Sequence, residues 1–441
     1  MHSVNGTTLE SNKKIKINFD GGDLSSDAGL LLFKEFITKF GIDNVINQEF
    51  KTTDNAAPRT HTDDKNLLQA IYQTISAYFT DDCADELTND PVFKTILDKK
   101  TMASQPTMSR FYNRMDENTM KQFDEINRKL RNIAYSYAKP KMALLDLDST
   151  LLETYGMQEG GTFNYHYRAD GYHPLVCYDA LTGELMKIQL RGGEVYSSNG
   201  VEDFLQPLLD GFAGIYPDIE LYLRGDRGFA CPGLYKQCET NGVSYAIRLK
   251  ENHVLRKMAI DLDDELHHMT KRNMIDCAAV YGEFHYRAES WDYPRRVVCK
   301  VEKPYGQLIY KHTFIVTNMA LCPEKTIRYY CNRGRMENMI KESKLGFDFA
   351  ACCSHSEIVN ANRLQVRALS YNIFNWFRRL ALAEQFKDNT VDTVRLKLIK
   401  VAARVVRSAR YLIFKLCSSC PYKNAFYETL SNIRRLRPRY G

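Results

Sequence analysis

The segment MALLDLDST alternates charged and apolar residues, which on a β-strand places Asp146 and Asp148 on one face and Leu145 and Leu147 on the other. A buried carboxylate is costly unless it is paired or holds a metal, so two at a strand end point to a cation site or an exposed turn. A second candidate is Asp226 in LYLRGDRGF, where an apolar strand runs into a carboxylate followed by Gly228. That position is the C-terminal end of a strand, where open α/β sheets gather ligands. The third lies on a helix expected from Pro323 to about Leu345, carrying Tyr330, Arg333, Glu337 and Lys344 at spacing Y-x2-R-x3-E-x6-K. At roughly 100° per residue the four fall within an arc of about 60°. A salt-laced solvent face is the plain alternative for such a stripe.

Asp, Asp and Glu, borne on two strands and a late helix, are what two-metal phosphoryl transfer requires. Three carboxylates can hold two divalent ions, one activating water or a 3′-hydroxyl and the other stabilising the leaving oxygen. Hard oxygen ligands favour Mg²⁺, with Mn²⁺ as the usual substitute. On the same helix face, Arg333 and Lys344 would bind backbone phosphates and place the scissile bond over the metals.

The elements that must position these groups can be read from periodicity. The first 140 residues carry helical patterns over Ala28–Phe40, Lys65–Phe79 and Asp85–Leu97, then a short helix in QPTMSRFYNRM. Helix, turn and helix with Arg110 and Arg114 available predicts a DNA-reading helix-turn-helix, or else a plain helical subdomain. From Lys141 the texture changes to three strands, helix, strand, helix, strand, the order of an RNase H-like fold. This α/β core is expected over residues 141–250 and 312–385, with a β-rich insertion subdomain at 251–311 between its parts. A basic helical region is expected over 386–441.

The formal net charge is +6 over 441 residues. From Arg379 to Gly441 there are 14 Lys and Arg against 4 Asp and Glu, a local balance of +10, so the first 378 residues sum to −4. A basic end on a near-neutral body is the footprint of a phosphate-binding surface or of a solvated helical face. No signal-peptide core and no run of 18 apolar residues occurs, which predicts a soluble, intracellular protein with no membrane partner. Twelve cysteines without a repeating spacing, Cys417 and Cys420 forming one lone C-x-x-C, predict reduced thiols rather than a disulfide framework or a zinc site.

The spacing of Tyr330, Arg333, Glu337 and Lys344 resembles the signature of bacterial insertion-sequence DDE transposases of the cut-and-paste type, transposase DDE domain group 1. LDLDST looks like their first-Asp motif, RGDRGF like their second, and GMQEGGTFNYHYRADGYHP like one branch of that family; the resemblance covers roughly residues 15–385. It implies a catalytic triad of Asp148, Asp226 and Glu337 that holds the metals, with Asp146 as the other possible first ligand. It also implies double-stranded DNA partners, the terminal inverted repeats and the target, joined by a homodimer in a synaptic complex in the bacterial cytoplasm at the nucleoid. In the insertion, Trp291 would stack on a base flipped out if a hairpin forms at the cut end, or else be structural. A host RNase H-like nuclease and a domesticated DNA-binding protein that has lost catalysis are the competing readings.

Overall fold

The structure, a computed structural model, describes residues 7–54, 59–273, 277–307 and 309–437. Two compact units divide the chain: one comprises residues 1–138, 346–348 and 365–441, the other residues 139–345 and 349–364. Among the described residues no helix is long and apolar enough to cross a membrane.

The first unit begins with helices α1 (Leu30–Phe40), α2 (Ile42–Glu49), α3 (Asp63–Ile75), α4 (Cys83–Glu86), α5 (Pro91–Ile96), α6 (Gln105–Asn113) and α7 (Glu117–Tyr137). Leu30, Phe33, Phe36, Ile37 and Phe40 recur at helical spacing on α1 and are all buried. Phe33 stacks on Phe377 at 4.1 Å and Phe40 on Trp376 at 5.8 Å, both partners standing on the later helix Glu357–Leu380. Each such ring contributes about 1.5–3 kcal/mol on burial. A buried cation closes α3, where Arg395 donates from Nε to the Ile75 carbonyl (2.7 Å) and from Nη2 to that of Thr74 (2.9 Å). Those carbonyls sit in the last turn of α3, the end where the helix dipole favours a cation.

Two expectations for this unit are corrected. The helix expected over Asp85–Leu97 is two helices, because Pro91 cannot continue one and Asp90 caps a new start by accepting from the Val92 and Phe93 amides at 2.8 and 3.0 Å. The basic C-terminal region is only partly helical, since strands Ala403–Arg407 and Leu412–Leu416 pair antiparallel before the final helix Lys423–Arg435. Alternation marks it: Val401, Ala403 and Val405 are buried while Ala402 and Arg404 between them are exposed, a period of two.

In the second unit, eight strands among the described residues form one sheet. They are β1 (Met142–Ser149), β2 (Leu175–Asp179), β3 (Leu185–Gln189), β4 (Glu220–Gly225), β5 (Ser244–Arg248), β6 (Ala278–Tyr286), β7 (Arg295–Lys303) and β8 (Lys311–Thr317). Their spatial order is β6-β7-β8-β5-β4-β1-β2-β3. β4 lies parallel to both β1 and β5, and the other pairings are antiparallel. Parallel neighbours need a crossover, supplied by α8 (Val201–Ile215) before β4 and α9 (Pro232–Thr240) between β4 and β5.

The expected insertion over 251–311 contains helices α10 (His253–Met258) and α11 (Ile260–Asn273) as well as strands. Its strands extend the central sheet instead of making one of their own, since Val316 of β8 is paired with Ile247 on one side and Val297 on the other. Val297, Val298, Cys299 and Val301 are all fully buried, so β7 is covered on both faces. The single helix expected from Pro323 to Leu345 is also corrected: it is two, α12 (Pro323–Cys331) and α13 (Gly334–Gly346), with a turn at Asn332 and Arg333.

Candidate active site

Register on the sheet sets the site. Arg224 of β4 is the partner of Asp146 on β1, and Gly225 is the partner of Leu147. One step further, Asp148 and Asp226 leave the ends of two adjacent parallel strands on the face that Asp146 and Arg224 share. The inner pair is a buried ion pair, with Arg224 donating to both Asp146 oxygens at 2.6 and 2.7 Å. Arg224 also donates to the Tyr329 carbonyl at 2.7 Å and packs on the Tyr329 ring, capturing the end of α12. Burial raises the Asp146 carboxyl and Arg224 pulls it back. Both Asp146 oxygens are thus engaged inside the sheet, whereas Asp148 stands at the strand end.

The outer pair opens into a cleft of about 560 Å³ whose floor is Asp148 and Asp226. Asp148 accepts from the Ser149 amide at 2.9 Å and pairs with Arg333 at 2.9 Å. Burial lifts its carboxyl above the ordinary range; Arg333 opposes this and the nearby Asp226 adds to it. Asp226 accepts from the Gly228 amide at 2.8 Å and thereby starts the 3₁₀ turn Arg227–Phe229. Hard oxygens at neighbouring strand ends, strained by each other's charge, are a donor set that fits a divalent cation.

Arg333 explains the break between α12 and α13. Its guanidinium donates to the Leu147 carbonyl at 2.7 Å as well as holding Asp148, which draws residue 333 in toward the end of β1. Burial works against this cation, but Asp148, Tyr330 and Asp226 outweigh it and hold it above its ordinary value. The Tyr330 phenol is raised by burial and senses both Arg333 and Asp226. Lys344 donates to the Leu151 carbonyl at 2.6 Å, and burial lowers its pKa.

The sequence-predicted residues are thus brought together unequally. Asp148 and Asp226 line the cleft and Arg333 pairs with Asp148, while Tyr330 packs against the buried cluster of Ala246, Val298, Ile315 and Ile327. Glu337 shares a face of α13 with Lys344, two turns earlier, in the stretch held between the Arg333 and Lys344 anchors. Its side chain is exposed, and among the described residues no three His, Cys, Asp or Glu side chains are gathered for a metal ion. Arg110 is exposed on α6, whereas Arg114 is tied to Asp63 and Asp54 within its own unit. Trp291 is only 4% exposed, edge-on to Tyr235 and Tyr286 with Arg295 over its ring.

Sequence reasoning missed the cleft walls. One is the loop from Arg191 to Asn199, where Arg191 donates to the carbonyls of His173 and Asn199, and Ser197 bonds Ser149 across the end of β1 at 2.8 Å. The other is the turn Tyr165–Arg168, inside the motif that resembles one branch of the family.

No curated protein sequence matches the chain. Among solved structures it is similar to the piggyBac transposase in a cryo-EM synaptic complex with hairpin DNA, with 12% identity, coverage of 85% of this chain and 80% of that one, and a TM-score of 0.43. It is also similar to the Mos1 transposase in a paired-end complex with the left transposon end, with 12% identity over 44% of this chain and 61% of that one at a TM-score of 0.17. The strand transfer complex of Mos1 matches with 11% identity over 50% of this chain and 73% of that one, at a TM-score of 0.16. The family model described as transposase DDE domain group 1 matches residues 7–438, a span that takes in both aspartate strands and the α12–α13 region. On that match, the chain belongs to the transposase DDE domain group 1 family.

Proposed function

We propose that this transposase binds the terminal inverted repeats of its mobile element, cuts one strand at each end, and joins the freed 3′-hydroxyl to target DNA. The observation that carries the reading is the pair Asp148 and Asp226 at adjacent parallel strand ends, in a cleft, in a chain matched along nearly its whole length by the family. In this reading an RNase H-like core runs over 141–250 and 312–385, all but residues 346–348 and 365–385 of it in the second unit, and the first unit carries DNA-binding surfaces.

Asp148, Asp226 and Glu337 are the residues that would hold two Mg²⁺ ions, with Mn²⁺ as substitute. When bound, the ions would supply an activated water or 3′-hydroxyl and stabilise the leaving oxygen. Glu337 joins the site through a side-chain swing or a small roll of α13, because Lys344 on its own helix face already lies against the chain that follows β1. Arg333 holds Asp148 until a phosphate arrives and then shares its fork with that phosphate; Lys344 and Tyr330 flank the same strand. Exposed Arg110 on α6 and the exposed Arg404, Arg407, Arg410 and Lys415 of the C-terminal hairpin would bind duplex phosphates. Two copies pairing two ends in the bacterial nucleoid complete the proposal.

Glu337→Ala tests it. The variant should lose Mg²⁺-dependent cleavage of a repeat-bearing duplex while binding that duplex as the parent does, measured by gel cleavage and gel shift. Cleavage at the parent rate would overturn the assignment of Glu337.

A further inference from the structure

The pair Cys417 and Cys420 has no part in the proposed cutting of DNA and lies between the C-terminal hairpin and the final helix. Strand Leu412–Leu416 ends just before Cys417, whose amide donates to the Ala402 carbonyl at 2.8 Å and so fastens it beside the start of the neighbouring strand. The chain then turns through Ser418 and Ser419, and the Cys420 amide donates back to the Cys417 carbonyl at 3.2 Å. Residues that close such a turn have α-carbons within about 7 Å of each other, inside the reach of a disulfide. Pro421 and Tyr422 lead from the turn into the helix Lys423–Arg435.

Both cysteines line one cavity of about 280 Å³, together with Lys415, Lys423, Phe426 and Tyr427. Strand, turn and helix thus enclose a space with room for one arm of a small disulfide. Cys417 is exposed and Cys420 partly buried. The Ser419 hydroxyl lies 3.1 Å from the Cys417 sulfur, and hydrogen bonding to the Ser419 side chain and amide draws that thiol below its ordinary value. Such a thiol supplies more thiolate near neutral pH, and the neighbouring lysines favour the anion further. The core cysteines are the opposite case: burial raises the thiols of Cys238 and Cys299, the latter to about 12.

We propose that Cys417 and Cys420 form a thiol–disulfide exchange site for small anionic disulfides, with Cys417 the attacking thiol and Cys420 the resolving one. The Cys417 thiolate attacks one sulfur of the small disulfide RSSR. A bond forms from Cys417 to that sulfur, the RS–SR bond breaks, and the released RS⁻ takes a proton from solvent. Cys420 then loses its proton to solvent and attacks the Cys417 sulfur, which expels the second RS⁻ and closes the Cys417–Cys420 disulfide. Two electrons pass from the protein thiols to the small disulfide, which leaves as two molecules of RSH. The ring so closed is short and lies at the surface, where a disulfide is exchangeable instead of a staple, and an excess of RSH reverses both steps. Lys415 and Lys423 select the charge of the disulfide, and Phe426 and Tyr427 give its arm an apolar wall.

The test uses the full chain, reduced and then mixed with glutathione disulfide, with free thiols alkylated at intervals and mapped by mass spectrometry. Cys417 should leave the free-thiol pool about tenfold faster than exposed Cys331, and the product should be the Cys417–Cys420 link. With cystamine, a cationic disulfide, the preference for Cys417 over Cys331 should fall by about threefold, because the lysines repel it. Cys420→Ser should stop at a glutathione adduct on Cys417, and Cys417→Ser should leave Cys420 free over the same interval. Absence of the link in the parent chain, or an adduct on Cys420 of Cys417→Ser formed at the parent rate, overturns the site. A preference as large with cystamine overturns the anionic class of substrate. In concentrated urea the advantage of Cys417 over Cys331 should vanish; an advantage that survives unfolding also overturns the site, since the cavity and its lysines would then play no part.

Discussion

Two carboxylates two residues apart on one strand face, Asp146 and Asp148, have been put to opposite uses. Asp146 lies inside the sheet opposite Arg224, receives two charge-assisted hydrogen bonds, and is sealed from water. Asp148 lies one register step beyond the last paired residue of β4, where its neighbour is another acid, Asp226, and its cation comes from the turn after α12. The inner pair builds: through Arg224 it holds the end of α12 and so places Arg333. The outer pair is left with charge that the protein itself does not fully balance. Position along a strand, not residue type, separates a structural carboxylate from a candidate ligand here.

The largest test of this contrast is to neutralise each side of it. Asp226→Asn or Asp148→Asn should reduce Mg²⁺-dependent cleavage by about 1,000-fold or more, since metal-held carboxylates support several kcal/mol of transition-state stabilisation. Urea unfolding of Asp226→Asn should match or exceed the parent, because a mutually repelling pair has been relieved, whereas Asp148→Asn also removes the Arg333 pair and should unfold at lower urea. A clear loss of stability in Asp226→Asn would place Asp226 with the builders.

Asp146→Ala should behave the other way, costing roughly 3–5 kcal/mol in urea unfolding by stranding the buried Arg224 cation. Unchanged stability would mean that the inner pair does not organise α12. A smaller effect is expected where one partner of an ion pair is partly open to water. Glu239 accepts from Arg295 at 2.8 and 2.9 Å beside the Trp291 cluster. Burial would raise its carboxyl, but Arg295, Tyr293 and Tyr245 outweigh that and hold it below the ordinary value. Its contribution is therefore present at neutral pH and lost as pH falls through the depressed value. Glu239→Gln should cost roughly 1–3 kcal/mol at neutral pH, with the gap from the parent closing in acid. A gap that persists in acid would assign the loss to packing around Trp291.

Much of the candidate site was legible because it depends on local pattern. Alternation in MALLDLDST and the apolar run into Asp226 were enough to place both acids at strand ends, and helical spacing was enough to put Glu337 and Lys344 on one helix. The same spacing misled over Pro323–Leu345, because 100° per residue holds only while the helix continues. Arg224 captures the Tyr329 carbonyl and Arg333 turns in toward Leu147, two contacts made by residues more than a hundred positions away. The surroundings of Trp291 were out of reach for a related reason: composition reveals an aromatic residue, while its burial among Tyr235, Tyr286 and Arg295 is a matter of what α9 and β7 bring to it.

By itself, then, the sequence determined which residues are acidic, which periods make strand or helix, and the order of elements that sets Asp148 and Asp226 side by side. Those are properties of neighbours along the chain, where alternation and spacing are binding geometry. Only the tertiary structure decided that Asp146 is sealed, that α12 and α13 part at Arg333, and that Tyr165 stands at the cleft. Each of those outcomes is set by a hydrogen bond or ion pair between distant residues, and such partners leave no period in the sequence.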